Sequence, residues 1–179
     1  MAKTLGKSCY SYGCGDCEKK IVVEYLYLDL QTCERCIGTD NILDEVMRVL
    51  TPALEIAGFA VEYNKIEIKT VDMAIQHQFV SSPTIRVNGQ DICKSVIENS
   101  CGCCSEISST DVECRVFEYN GNTYEIPPKE MLAKRILQGV FNQYNEECYS
   151  DKYKLPANLK NFFDGKKTKS RCCCEGNCC

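Results

Sequence analysis

The chain has 179 residues, with 21 Lys and Arg against 25 Asp and Glu for a formal charge of −4, and it carries sixteen cysteines but one histidine. That length suits one domain of about 100–150 residues plus tails, and the acidic balance excludes a general nucleic-acid binder, which needs a basic face. With 44% hydrophobic residues the chain can bury a core, which excludes wholesale disorder.

The first residues, through Cys9, lack the apolar run of a secretory signal. The most apolar stretch, Ile21 to Leu30, is broken by Glu24 and Asp29 and is too short to span a membrane. The expected setting is therefore a reducing cytoplasm with no membrane partner, where structural disulfides are rare and cysteines serve as thiols, metal ligands or catalytic dithiols. A secreted disulfide scaffold already stripped of its signal is the alternative.

Residues 1–18 are polar and Gly-rich and read as a flexible arm carrying Cys9, Cys14 and Cys17. Residues 19–145 read as the folded domain. Ile21 to Leu28 is nearly all apolar and β-branched or aromatic, which predicts a central strand buried on both faces. Cys33-Glu34-Arg35-Cys36 follows, and then Ile42, Leu43, Val46, Val49, Leu50, Leu54 and Ala57 recur at helical spacing up to Gly58. Pro52 inside that pattern predicts a kink, or a restart with Thr51 as N-cap. Strand patterns return at 59–68, a short helix at 71–79, and a turn at Ser81-Ser82-Pro83 feeds a strand ending at Asn88-Gly89. A Cys-rich loop near 93–114 contains Cys93 and Cys101-Gly102-Cys103-Cys104. A hairpin is expected about Asn120-Gly121, and a helix from Pro128 to Phe141. Residues 146–179 read as a polar linker and a tail ending Cys172-Cys173-Cys174-Glu175-Gly176-Asn177-Cys178-Cys179.

Two cysteines three apart at a helix start gain from the positive end of the helix dipole, and they can close a disulfide across one turn. Arg35 should favour a neighbouring thiolate and Glu34 should oppose it. The order strand, Cys33-x-x-Cys36, helix, then Ser82-Pro83-Thr84-Ile85 leading a strand, resembles the thioredoxin fold over about residues 20–92. Residues 20–142 look like a family of small, uncharacterised thioredoxin-like bacterial proteins. The resemblance implies an α/β three-layer sandwich with a central mixed sheet. It also implies Cys33 as nucleophile, Cys36 as resolving thiol, and Pro83 as a cis-proline lining the groove. Glu-Arg between the cysteines, the late Pro52 and everything after residue 100 depart from thioredoxin.

The tail makes a second constellation. Neighbouring thiolates repel unless a soft cation sits among them, so Cys172, Cys173, Cys174, Cys178 and Cys179 read as a clamp for Hg, Cd, Cu, Zn or As. The tail resembles the cysteine tails of bacterial heavy-metal handling proteins. A third constellation groups Cys101, Cys103 and Cys104, flanked by Cys93 and Cys114, with Cys14 and Cys17 as a zinc-type sulfur site. His77 reads as an ordinary exposed imidazole. With no Gly-rich phosphate loop, Ser-His-Asp set or HExxH helix, no organic cofactor is expected.

The leading expectation is a thioredoxin-like protein that binds and exchanges soft metals or metalloids in detoxification or trafficking, with a thiol reductase or a metal transporter as partner. The alternative is a thiol–disulfide oxidoreductase using Cys33 and Cys36. Carbon–metal cleavage in the manner of alkylmercury lyase is a minor third reading.

Overall fold

The computed structural model describes residues 19–93, 95–141 and 153–172. Cys9, Cys14, Cys17, Cys173, Cys174, Cys178 and Cys179 lie outside them.

β1 (Lys19–Tyr27) leads through a short loop into α1 (Glu34–Ile56), and α1 returns the chain to β2 (Phe59–Glu67). β1 and β2 pair in parallel, Lys19 opposite Phe59 and Tyr27 opposite Glu67. After α2 (Val71–Gln76), β3 (Thr84–Val87) runs antiparallel on the other side of β1, with Val23 opposite Val87, and β4 (Gln90–Asp91) extends it. The mixed sheet has the order β2-β1-β3-β4. A second sheet is antiparallel, of β5 (Ile97–Ser100), β6 (Glu113–Tyr119) and β7 (Asn122–Tyr124). The turn between β6 and β7 is the expected one: Asn120 and Gly121 both take positive φ, which suits the twist of a tight hairpin. The expected Cys-rich loop holds β5 and a helix, α3 (Gly102–Ser108).

α1 forms because Leu43, Val46, Met47, Leu50 and Leu54 make one buried stripe at three- and four-residue spacing. It does not restart at Thr51 but runs on through Pro52. The proline removes one N–H from the ladder, yet both Pro52 and Arg48 are exposed, so the Arg48 carbonyl can turn to water. The expectation that β1 is covered on both faces holds only at its end. Ile21, Val23 and Tyr25 are buried, whereas Val22 and Glu24 are half-exposed.

Two apolar clusters result. On one face of the sheet, Ile21, Val23 and Tyr25 pack with the α1 stripe and with Leu132, Ile136 and Val140 of α4 (Lys129–Phe141). On the other, Leu26 and Leu28 meet Ile68, Ala74 and Phe79, together with five cysteines. Leu159, Phe162 and Phe163 of α5 (Ala157–Cys172) close this second cluster. Part of the expected linker is therefore a helix. Its three apolar residues share one face among lysines, so low overall hydrophobicity concealed a buried stripe. Gly165 lets α5 approach the Ser108 carbonyl, where a Cβ would collide with it. Asn158 holds the other end, accepting from the Glu113 N–H and donating to the Glu113 carbonyl. Among the described residues no helix is long and apolar enough to cross a membrane.

Candidate metal centre

The loop after β1 is built around one carboxylate. Asp29 Oδ1 accepts from the N–H groups of Gln31, Thr32 and Cys33 at 3.0, 2.6 and 3.2 Å, and from the Thr32 hydroxyl at 2.9 Å. Burial works against the charge, but these donors outweigh it and hold the Asp29 carboxyl below its ordinary range. The result is to place Cys33 at the N-cap of α1 with its N–H satisfied and no side-chain capping bond, so its sulfur remains available.

Cys101 occupies the same position on α3, again with no side-chain capping bond. Cys33 and Cys101 each precede a helix, and Cys36 and Cys104 lie three residues on: two C-x-x-C units facing one another. The sulfurs of Cys33, Cys101 and Cys104 all lie within 4.8 Å of one another and are buried. Cys104 donates to the Cys33 sulfur at 3.7 Å, and Cys114, from β6, donates to Cys104 at 3.4 Å. A tetrahedral thiolate site with metal–sulfur bonds of about 2.3 Å has sulfur–sulfur edges of roughly 3.8 Å, so the two distances lie near what such an ion needs. A trio of cysteine sulfurs that can hold a metal ion is thus present, with a fourth sulfur against it.

Arg35 ties the two halves together. Its guanidinium is buried and donates to the Cys114 carbonyl at 2.8 Å and to Glu125 Oε1 at 2.7 Å, with longer bonds to the Arg115 and Ser100 carbonyls. Through these bonds Arg35 fixes the start of α1 against the sheet that carries Cys114. Cys36 lies outside the trio, with its sulfur beside that of Cys33. Its sulfur is 3.4 Å from Ser82 Oγ, and that oxygen accepts from the Leu28 N–H at 3.2 Å. Either the hydroxyl or the thiol can be the donor of the Ser82–Cys36 contact. The Ser82–Pro83 peptide is cis, and Pro83 is buried beside this contact.

Hydrogen bonds from Cys101, Cys104 and Cys114 hold the Cys33 thiol far below its ordinary pKa, as the thiolate, against the pull of burial. Cys101 is lowered to about 7 through its bonds with Cys104 and Cys114. Cys104 and Cys114 are pushed up, each by its contact with Cys101 first and by burial after it. Cys36 is raised by Cys33 and by burial. The thiolate is thus favoured at Cys33 first and Cys101 second, and the protonated thiol at Cys36, Cys104 and Cys114.

The structure brings together Cys33, Cys101 and Cys104 of the residues singled out in the sequence, with Cys36 behind Cys33. Cys103 is half-exposed on α3 and is not in the trio. Cys172 ends α5. Cys14 and Cys17, which the sequence groups with Cys101 and Cys104, fall outside the described residues. Cys114, noted only as a flank, is in contact with the trio. Cys101 and Cys104 repeat the C-x-x-C spacing of Cys33 and Cys36, a likeness in the sequence that does not by itself say the two motifs meet. Cys93 lies in the other cluster, its thiol pushed up to about 11 by burial.

The fold and the site define an α/β protein with a buried set of cysteine sulfurs on one face of a mixed sheet. Residues 21–136 match the family described as a domain of unknown function (DUF2703), and the chain belongs to that family. The match takes in all the sulfurs of the set but ends before α5. No curated protein and no solved structure matches the chain.

Proposed function

We propose that the protein binds a soft, thiophilic metal ion or metalloid at Cys33, Cys101 and Cys104, with Cys114 as the fourth sulfur where the ion is tetrahedral. The observation that carries this reading is the trio itself: three buried sulfurs within 4.8 Å, with no carboxylate or imidazole among them. A sulfur-only donor set selects Zn, Cd, Cu(I), Hg or trivalent arsenic over hard cations. The role we assign is handling of such ions, in detoxification or trafficking. The cysteine run from 172 to 179 offers further soft ligands beyond the domain.

A thioredoxin-like core is the finer reading of the fold. The strand, C-x-x-C, helix order, the parallel β1–β2 pair and the antiparallel β3 after Ser82-Pro83 support it. Thiol–disulfide exchange draws on the same pair, since a lowered Cys33 beside a raised Cys36 suits a nucleophile and its resolving thiol. Burial favours the ion. Cys33 is 0% exposed, so a partner's disulfide has no line of approach to it, whereas an ion needs to enter only once and is then retained.

The test is a Cd(II) titration of the full chain under anaerobic conditions, followed by thiolate charge-transfer absorbance and native mass spectrometry. Wild type should show one more tightly held ion than the Cys33→Ser and Cys104→Ser variants. Equal counts in all three would remove this reading.

A further inference from the structure

Cys33 belongs to two arrangements that cannot both exist. It is a member of the sulfur trio with Cys101 and Cys104, and it is one end of the C-x-x-C unit whose other end, Cys36, lies outside that trio against Ser82. A sulfur bonded to Cys36 is no longer a thiolate and cannot remain a ligand. The two cysteines occupy the N-cap and third position of α1, the spacing at which a disulfide closes across one turn. The remaining sulfurs come from separate elements, α3 and β6, so losing Cys33 removes the ligand that α1 contributes.

Resting on the metal-binding reading above, we infer that Cys33 is a redox-switched ligand. Oxidation of Cys33 and Cys36 to a disulfide by a small peroxide releases the ion, and reduction restores the site. The burial of the set decides the class of oxidant. Cys33, Cys36, Cys104 and Cys114 are 0% exposed and Cys101, at 4%, is the one residue of the set that solvent touches, so a protein disulfide is excluded and a small peroxide has to enter past Cys101 as the packing opens. The Cys33 thiolate attacks the peroxide O–O bond, forming S–OH and releasing hydroxide, and its bond to the ion breaks. The Cys36 thiol then displaces that oxygen as water, its proton leaving with it, and the Cys33–Cys36 bond forms. Two electrons have passed from the sulfurs to the peroxide. A low-molecular-weight dithiol returns them, becoming a disulfide itself.

The experiment loads the full chain with Zn(II) anaerobically, adds hydrogen peroxide in the presence of a chromophoric chelator, and maps disulfides by differential alkylation and peptide mass spectrometry. Wild type should release the ion that Cys33→Ser never binds, show a Cys33–Cys36 disulfide, and refill fully after dithiothreitol. Cys36→Ser, scored against its own first load, should lack the resolving thiol. It should accumulate irreversible sulfinic acid at Cys33 and recover less than about half of that load after reduction. Oxidised wild type that keeps the ion while Cys33 and Cys36 are joined would overturn the switch, as would a disulfide confined to Cys101, Cys104 and Cys114. Either result would leave ion binding standing. A chain that takes up no Cys33-dependent ion at all would overturn both readings.

Discussion

The two faces of β1 are built from different materials. Ile21, Val23 and Tyr25 look into an aliphatic cluster closed by α1 and α4, while Leu26 and Leu28 look into one made of phenylalanines and five cysteines. The first face mainly holds the fold: apart from the Cys93 thiol and the bond from the Tyr25 hydroxyl to the Cys36 carbonyl, it is built on dispersion and apolar burial. The second buries polarisable thiols with a charge among them, which costs stability unless something compensates for it. A protein that puts its sulfurs where leucines would pack more favourably gives up stability for ligands. Substitutions on the two faces should therefore separate folding from binding.

The largest effects come from emptying either cluster. Leu43→Ala and Phe162→Ala should each cost about 3–5 kcal/mol in chemical denaturation, through lost burial and a residual cavity. They should then part company. Phe162 closes the sulfur side, so its loss should also speed alkylation of Cys33 and Cys104 under native conditions. Leu43→Ala should leave that labelling far slower. Equal labelling in the two variants would break the distinction between the faces.

Next comes the ion. A ligand present at a thousand times its Kd stabilises by about 4 kcal/mol, and Cys104→Ser should abolish that gain in a thermal melt with Zn(II). The same binding should weaken as pH falls. Cys104 and Cys114 have raised pKa values and hold protons at neutral pH, so uptake of a tetrahedral ion must release about two protons. Cys101, lowered to about 7, adds a further proton below that pH, while Cys33, already the thiolate, adds none. Affinity should therefore rise with pH through neutrality and fall most steeply below pH 7. A flat profile in a competition titration would show that the sulfurs are not the ligands.

Arg35→Leu should cost about 2–3 kcal/mol, the scale of buried hydrogen bonds to a charged group. Because those bonds join α1 to β6, the variant should also weaken Zn(II) binding relative to Glu125→Gln, whose carboxylate is the exposed partner. Equal binding by the two variants would reduce Arg35 to packing.

Much of the first face was legible in the sequence, because it follows from local signals: the α1 stripe and the helix after Pro128 from their period, and the hairpin from the Asn120-Gly121 turn. So was the placing of Cys33 and Cys36 at a helix start after a strand. Their companions were not. Spacing along the chain says nothing about which distant motif meets them, and the reading that sets Cys101 and Cys104 with Cys14 and Cys17 rests on a Cys-only inventory suited to zinc, with Cys14 and Cys17 outside the described residues. The bonds from Arg35 to the Ser100 and Cys114 carbonyls tie the second sheet to the start of α1, a tertiary contact that brings residue 101 to residue 33. α5 was missed for a different reason: three apolar residues in a lysine-rich run fall below any composition signal, although their spacing is helical.

The smallest effect expected is the most specific to Cys36. Ser82→Ala removes a hydroxyl that accepts from Leu28 and faces the Cys36 sulfur, leaving the buried Leu28 N–H without its partner. The cost should be about 1 kcal/mol, the net value of one such bond. The hydrogen bonds of Ser82 go to Leu28, Cys36 and Arg115 and not to the trio, so Zn(II) affinity should stay within about twofold, since a twofold change is well under 1 kcal/mol. The bond does favour the charged form of Cys36, opposing the raising effect of Cys33, so its loss should move the Cys36 thiol still higher. Alkylation of Cys36 in the unloaded protein, followed against pH, should shift toward higher pH in Ser82→Ala and leave the Cys33 profile in place. Both profiles moving together would mean that Ser82 supports the whole sulfur face, and the division between ion ligands and the sulfur behind them would have to be redrawn.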